Sequence, residues 1–484
     1  MSLPAPVISP APAAEPRVHH PAPAQIDLSC RNPVLFFFTA AISWLALGTL
    51  LAAIASIKLH GPGFLAHWAA FSYGRLQPAQ SNIFLYGFAS QAAMGTALWL
   101  ICRLGRTTLL FPGAALAGGL FWNIGVAFGI LGILAGNSSG YPGFEMPRGV
   151  SLVLFCSYLI FGVSALVTFH SRTERKLYVS MWYLLAAILS FPWIYATAVG
   201  FLHYGNLRGG PLAIVSVWYA NNFIALWLAP VALAVIYYFV PKLSGRSLYS
   251  DGLAAFAFWV YFVFANSGGF QAMAGLPRWI INLSVVTTVI MSIPVLAMAI
   301  NWHFTWSGGK AKSGVVPRFI WFGAISFILS GALTLFTAFR ETNASLAYTH
   351  YLTGLSQLGL YGFFGLTLLG AIYYIVPKLT GTDWPKPAWV TAHSGLTIAG
   401  IAISVLALLG GGVLQGQNLL NPRMPFMDVV RATLPFLGIS TLGLLLVAVG
   451  QILLLLHLLF SFARSCAACC GSLNSTVKTA GVTR

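Results

Sequence analysis

Charged residues are scarce in this sequence. Only 7% of its 484 residues are Asp, Glu, Lys or Arg, whereas 58% are hydrophobic. An ordinary soluble domain has about 25% charged residues, because its surface faces water. The shortage excludes a soluble globular protein and indicates that lipid surrounds most of the chain.

Long apolar runs make up most of the sequence. A helix needs about 20 apolar residues to cross a hydrocarbon layer. The runs predict spans at about 33–58, 81–102, 107–136, 149–170, 178–203, 211–240, 252–273, 279–303, 316–340, 349–376, 390–415 and 433–463. Helix is the expected spanning state, because the runs do not alternate in polarity. The predicted fold is all-α, a polytopic membrane protein with about 12 transmembrane helices.

The chain divides into three regions. Residues 1–30 are rich in Pro and Ala and hold no apolar run, which predicts a disordered cytoplasmic arm. Residues 31–463 form the predicted membrane domain, and residues 464–484 form a short cytoplasmic tail. Twelve Lys and Arg residues flank the spans on the side of the membrane where both termini lie, and eight flank them on the other side. Because Lys and Arg are more frequent on the cytoplasmic side, this count favours cytoplasmic termini.

The net charge of +17 raises the alternative of nucleic-acid binding. The basic residues are spread over many loops instead of forming one patch, so membrane topology and contact with anionic lipid explain them better. Membrane lipid is therefore an expected partner, and nucleic acid is not.

Cysteine is also rare, and its positions do not suggest a disulfide framework. Cys102 and Cys156 lie in or at the end of predicted helices, and Cys30 precedes the first helix. The tail holds a cluster of Cys466, Cys469 and Cys470. A metal or redox role is one hypothesis for this cluster, and reduced or acylated juxtamembrane thiols are the favoured one.

The predicted spans have no ionisable residue near their centres. Such residues usually carry function, so this absence excludes a carboxylate proton relay within the membrane. Four histidines near the outer face could together bind a metal ion. No two of them are three or four positions apart, so hydrogen bonding at the membrane interface is the favoured interpretation. The four are His60, His67, His203 and His350. The other histidines and all eight acidic residues also fall in the termini, in loops or near helix ends.

One segment occurs twice. Ile236-Tyr-Tyr-Phe-Val-Pro-Lys-Leu-Ser-Gly245 and Ile372-Tyr-Tyr-Ile-Val-Pro-Lys-Leu-Thr-Gly381 differ at only two positions. Each closes a long apolar run with interfacial tyrosines, a helix-stopping proline and a surface lysine. Two helix ends that became similar independently would explain each residue type separately. A repeated architecture, in which helices 6 and 10 are equivalent, also explains why the residues occur in the same order.

Together these motifs resemble subunit I of the cbb-type (C-family) haem-copper cytochrome c oxidases. The best markers are Ile57-Lys-Leu-His60, Gly74-Arg-Leu-Gln-Pro78, Trp218-Tyr219 with the helix stop that follows it, and Leu276-Pro-Arg-Trp279. The likeness runs from about residue 33 through helix 12. It implies a twelve-helix, pseudo-repeated bundle with cytoplasmic ends, two haems, one copper and membrane-anchored c-type cytochrome partners.

The chain departs from this family where the family places its metal-ligating histidines. The family's haem-ligand positions hold Gln80, Leu355 and Gln357, with Ser356 between the last two. The copper-ligand positions hold Asn221 on helix 6, and Gly269 and Phe270, which follow Gly268, at the end of helix 7. Tyr261 is the candidate for a tyrosine near copper. Carboxamides are poor ligands for haem iron, so no cofactor is predicted.

Three hypotheses remain open. The first is a metal-free subunit I homologue, not itself an oxygen-reducing enzyme, that serves as a scaffold in a respiratory or electron-transfer complex of a bacterial inner membrane. The second is an oxidoreductase subunit that binds haem unusually, through His60, His350 or a Met. The third is a small-solute transporter or channel with Gln80, Asn221 and Gln357 along a polar path.

Overall fold

The computed structural model describes residues 21–273, 275–309 and 313–480, with side chains through residue 461 and at residue 463. Every regular element in these ranges is helical, which confirms the all-α prediction. We number the long helices α1 to α12. They are Pro23–His60 (α1), Tyr73–Gly105 (α2), Pro112–Ala135 (α3), Arg148–His170 (α4), Val179–His203 (α5), Gly210–Ser244 (α6), Asp251–Phe264 (α7), Arg278–Ser307 (α8), Val315–Ala338 (α9), His350–Thr380 (α10), Pro387–Leu419 (α11) and Phe426–Ala480 (α12).

Eleven of these helices are long and apolar enough to cross a membrane within the part of the chain that is described. The exception is α7, where a span over 252–273 was expected. It has 14 residues and passes into a short 3-10 turn, Ala265–Ser267. The predicted set of about twelve spans therefore consists of eleven full spans and one short helix, which is consistent with about twelve transmembrane helices.

The start of α1 corrects the predicted extent of the N-terminal arm. The helix begins at Pro23, so residues 23–30 are helical and not part of a disordered arm. Proline suits the first turn of a helix, whose amide hydrogens have no intrahelical acceptor. Tertiary contacts hold this turn, because Asp27 accepts a hydrogen bond from Trp99 Nε1 at 3.0 Å. Residues 1–20 and the Cys466, Cys469 and Cys470 side chains lie outside what is described.

Three helices form the centre of the bundle. The most apolar 18-residue stretch of α2 is entirely buried, and those of α6 and α10 are 83% and 78% buried. The corresponding stretches of the other eight spans are 33–56% buried. The remaining helices therefore pack around α2, α6 and α10, and α1 contacts α12 to close the ring.

The repeated segment forms an equivalent end on α6 and α10. Gly245 and Gly381 adopt left-handed backbone angles, φ +70° and +69°, and their amides donate to the carbonyls of Pro241 and Pro377. Each proline lies inside its helix, so the glycine, and not the proline as expected, ends the helix. Glycine is suited to this position because its lack of a Cβ removes the steric cost of a left-handed conformation.

Candidate functional site

Each central helix contains one π-helical stretch. These are Ile83–Ala89 in α2, Phe223–Leu228 in α6 and Leu358–Gly365 in α10. Such stretches are rare in helices and often mark functional sites, because the extra residue per turn redirects neighbouring side chains. Gln80, Asn221 and Gln357 lie within three residues before these stretches. The predicted site positions therefore stand where the central helices lose regular geometry.

One large cavity lies between α6, the end of α7, α8, α9 and α10. Its volume is about 520 Å³, and Asn221, Gly268, Gly269 and Leu355 all line it. The described residues that line it are all uncharged. The polar part of the lining consists of Asn221, Tyr261, Gln271, Thr287, Thr288, Ser292, Ser330, Thr334 and Ser356. The structure thus brings together four positions from three separate parts of the sequence in one neutral cavity.

Asn221 and Asn222 bind the carboxyl end of α7. The Asn221 Nδ2 atom donates to the carbonyl of Ala265 at 3.0 Å, and Asn222 Nδ2 donates to that of Asn266 at 3.0 Å. The last carbonyls of a helix have no intrahelical donor, so these carboxamides satisfy groups that would otherwise be costly to bury. This contact gives Asn221 a structural role at the 3-10 turn that follows α7.

The segment after α7 folds over this contact and joins α8. A Cβ atom at Gly268 would lie 3.2 Å from Asn221 Oδ1, so the backbone is close to this carboxamide. Gln271 receives a hydrogen bond from Ser284 at 2.8 Å and donates to Thr288 at 3.1 Å. The Phe270 amide donates to Ser284 Oγ, and Phe270 does not line the cavity. Of the two predicted positions in this segment, only Gly269 reaches the cavity.

A second, smaller cavity of about 150 Å³ contains both Gln80 and Gln357. Ser356 and Leu360 line both cavities, so the two are neighbours. Gln80 Nε2 donates to Gln77 Oε1 at 3.1 Å, and Gln357 Oε1 accepts from Ser404 Oγ at 2.8 Å. Each carboxamide is therefore held by a neighbouring side chain of the protein.

No histidine in the described part of the chain lines either cavity. His203 stacks on Phe144 with ring centroids 4.3 Å apart, and its Nδ1 lies 3.0 Å from Ser151 Oγ. His393 Nδ1 lies 3.0 Å from the Tyr373 hydroxyl, and His60 Nε2 lies 3.0 Å from Thr441 Oγ1. Among the described residues, no three His, Cys, Asp or Glu side chains form a group able to hold a metal ion.

Comparison with known proteins identifies the family. The sequence model described as cytochrome c and quinol oxidase polypeptide I matches residues 32–446, most of the chain. The chain belongs to this family. It is 25% identical over 397 residues to the cbb3-type cytochrome c oxidase subunit CcoN1 of Stutzerimonas stutzeri, covering 78% of this chain and 82% of that protein. It is also 25% identical to cytochrome c oxidase subunit 1 of Rhodobacter capsulatus, over 88% of this chain and 84% of that one.

A solved structure supports the same fold. A cryo-EM structure of a haem-copper terminal oxidase dimer superposes with a TM-score of 0.70, at 16% identity, over 89% of this chain and 84% of that chain. This subunit I-like chain is thus an integral membrane protein with a haem-copper oxidase fold, related to bacterial oxidases, as its helix stops and span count predicted.

The side chains in the two cavities do not fit the metal groups that this polypeptide I family implies. Haem iron and copper in oxidases are held by nitrogen or sulfur donors with fixed supporting hydrogen bonds. The larger cavity offers one Asn, one Gln, one Met, a tyrosine and aliphatic hydroxyls, and the smaller one offers three glutamines, hydroxyls and two tyrosines. A single thioether, with no imidazole beside it, does not supply a ligand set for haem iron or copper. Carboxamide and hydroxyl oxygens instead suit hard cations or neutral hydrogen-bonding ligands.

One polar network in this subunit I-like chain was missed by the sequence analysis. Glu145, in the loop between α3 and α4, accepts a hydrogen bond from Asn82 Nδ2 at 2.6 Å. Nearby, the Tyr86 and Tyr219 hydroxyls lie 2.5 Å apart. Desolvation raises the pKa of Glu145 above its ordinary value, although hydrogen bonds from Asn82 and local amides act in the opposite direction. The sequence did not indicate that Glu145 is buried, because its burial depends on how the loop packs against α2.

Proposed function

We propose that this chain is a metal-free subunit I homologue that acts as a membrane scaffold in a respiratory or electron-transfer complex. The observation that carries the proposal is the environment of the two cavities. Both lie at the central helices, and none of the described residues that line them has an imidazole. Oxygen reduction by this family needs redox metals, and these cavities offer carboxamides, hydroxyls and the single thioether of Met291 instead of imidazoles.

The hydrogen bonds of the site support a structural use of the same positions. Asn221 caps α7, and Gln80 and Gln357 bond to other side chains. Polar groups that already have protein partners need no cofactor to satisfy them. The scaffold would hold a membrane-anchored c-type cytochrome subunit within the lipid, in a bacterial inner membrane and with both termini cytoplasmic.

The test is purification of the full chain from its native membrane under mild detergent. We expect a c-type cytochrome to copurify, with no stoichiometric haem b, no copper and no oxygen consumption assignable to this chain. A pyridine haemochrome spectrum and metal analysis measure the cofactors. Stoichiometric b-type haem and copper in this chain would overturn the proposal and favour the alternative of an oxidoreductase with unusual haem binding.

A second candidate function is the binding or passage of a small neutral solute. The observation that favours it is the uncharged cavity of about 520 Å³, because ligand cavities in proteins commonly measure about 300–1,000 Å³. Gly359 lines this cavity, and a Cβ atom placed there meets no atom within 4 Å. Gly359→Leu should therefore reduce the cavity volume, because the open space begins at the Cβ position.

Proteoliposome flux measurements separate this candidate from a scaffold. Transport requires that Gly359→Leu lower the flux of neutral solutes, while Gly395→Leu leaves it unchanged. Gly395 is an exposed position on α11 where an added Cβ also meets no atom within 4 Å. No flux in the unmodified protein, or equal flux in both variants, rejects transport.

A further inference from the structure

The central helices share a second pattern at the end where α1 begins. In each, an aromatic residue is followed four positions later by a cation in the last turn: Trp99 and Arg103 in α2, Tyr238 and Lys242 in α6, and Tyr374 and Lys378 in α10. Residues four apart lie on the same face of a helix. All three helices therefore present an aromatic ring with a cation one turn beyond it.

The three aromatic rings meet at the centre of the bundle. The Trp99 ring centroid lies 5.8 Å from that of Tyr238 and 6.0 Å from that of Tyr374. Phe239 packs between the two tyrosines, at 5.0 Å from each. The pattern thus converges on one point, which we call the aromatic triangle (Trp99, Tyr238 and Tyr374).

The three cationic side chains contact the rings of the aromatic triangle. The Arg103 guanidinium lies 5.5 Å from the Trp99 ring centroid, and the Lys242 ammonium lies 4.7 Å from that of Tyr238. Lys242 and Lys378 both stand over the Tyr374 ring, at 5.3 Å and 6.0 Å. Attraction between a cation and an aromatic face limits the motion of each long side chain. The basic groups are therefore held in position at the surface of the bundle.

Other interactions fix the geometry further. Lys242 Nζ donates to the Tyr238 hydroxyl at 2.6 Å. Arg103 Nη1 pairs with Asp27 at 3.5 Å and donates to the Pro23 carbonyl at 3.0 Å. Asp27 offsets part of the positive charge, and the Lys242 and Lys378 side chains are exposed. Cations at helix ends are favoured by the helix dipole, but that effect acts on each helix separately and does not explain their convergence.

We propose that Arg103, Lys242 and Lys378 form a binding site for a phosphate group. Three cationic side chains from three helices suit a phosphate group, whose four oxygens are arranged as a tetrahedron, whereas a carboxylate offers two oxygens in one plane. Both arginine and lysine are common phosphate ligands. The phosphate belongs either to a lipid headgroup or to a free phosphate compound. This proposal is independent of the proposed scaffold function.

The test measures phosphate binding to the full-length protein in an uncharged detergent. Equilibrium dialysis with radiolabelled inorganic phosphate should give one saturable site per chain. Thermal unfolding should show a rise in Tm with phosphate and pyrophosphate over chloride at matched ionic strength, because a ligand that binds only the folded state stabilises it. Lys242→Gln combined with Lys378→Gln should weaken binding by about tenfold or more.

Lys176→Gln is the matched control. Lys176 lies in the loop after α4, at the same end of the bundle, and its ammonium stands 5.7 Å from the Tyr178 ring but away from the triangle. It should leave phosphate binding unchanged. Equal loss in the control and the double variant, or no saturable binding in detergent and no lipid effect, overturns the site.

Nanodiscs distinguish the two sources of phosphate. If a lipid headgroup is the ligand, phosphatidylglycerol, whose headgroup is anionic, should raise the Tm above its value in phosphatidylcholine, whose choline cation neutralises the phosphate. Added phosphate should then have no further effect. If a free compound is the ligand, phosphate should raise the Tm equally in both lipids. In either case the double variant, with its folding checked by circular dichroism, should lose the effect.

Discussion

Gly400 of α11 and Gly443 of α12 lie against each other through their backbones. A Cβ atom added to either glycine would be 2.6 Å from the carbonyl oxygen of the other. Within a membrane, small residues allow such close approach, and the resulting van der Waals contact is a main source of helix association. The contact holds the last helix pair, which in turn closes the bundle through α1.

Gly443→Ala should therefore destabilise the protein, by about 1–3 kcal/mol, because the added methyl group must separate the two helices. The measurement is Tm in detergent. Gly438→Ala is the control on the same helix, since a Cβ atom there meets nothing within 4 Å. Alanine favours helix over glycine, so the control should match or slightly exceed the unmodified protein. Equal Tm values for the two variants would contradict the contact.

Asn221→Leu should lower stability by about 1–3 kcal/mol, because it leaves the Ala265 carbonyl without its donor. Hydrogen exchange followed by mass spectrometry should show faster exchange at the end of α7 and little change elsewhere. Asn266→Ala is the comparison variant, because its side chain makes an exposed bond to the Val263 carbonyl. Unchanged exchange near residue 265 in Asn221→Leu would mean that the cap does not hold α7.

Glu145→Gln should raise stability at neutral pH. Burial raises the pKa of Glu145, so the folded state binds the proton more tightly than the unfolded state. This contribution is fully present below the unfolded pKa and is lost as the pH rises through the folded pKa. The glutamine variant is always neutral and can still accept from Asn82, so its Tm advantage should grow from about pH 4 to pH 8.

Glu174→Gln provides a control of opposite sign for this pH series. Glu174 pairs with Arg106 at 3.5 Å near the surface, so its replacement should slightly lower the Tm at neutral pH. If Glu145→Gln were also destabilising at pH 8, the ionised carboxylate would be favourable in its loop and the burial argument would be wrong.

Gln80→His combined with Gln357→His should not create a haem site. The cavity between them measures about 150 Å³, below the range of about 300–1,000 Å³ common for ligand sites. Phe84 and Tyr361, whose ring centroids are 4.4 Å apart, occupy its side. Purified double variant supplied with haem should show no spectrum of a six-coordinate bis-imidazole haem. The appearance of that spectrum would mean that only the ligands, and not the space, are missing.

Several features of the fold were predictable from the sequence because they depend on short segments. The fourth span, expected at 149–170, is Arg148–His170, since its ends are set by where the apolar run stops. The ends of the eleventh span were predicted less well, because α11 extends from Pro387 to Leu419, beyond the predicted apolar run of 390–415. The short length of α7 was not predictable, since the 3-10 turn that follows it bonds to carboxamides of α6 that are far away in the sequence.

The sequence by itself determined that this protein crosses the membrane many times as helices, because lipid leaves a backbone no other way to satisfy its hydrogen bonds over long apolar runs. It also determined the matching ends of α6 and α10. Only the tertiary structure decided that Asn221, Gly269 and Leu355 share one cavity while Gln80 and Gln357 share another. Those groupings arise from the packing of three central helices, which brings distant residues together and which no local pattern encodes.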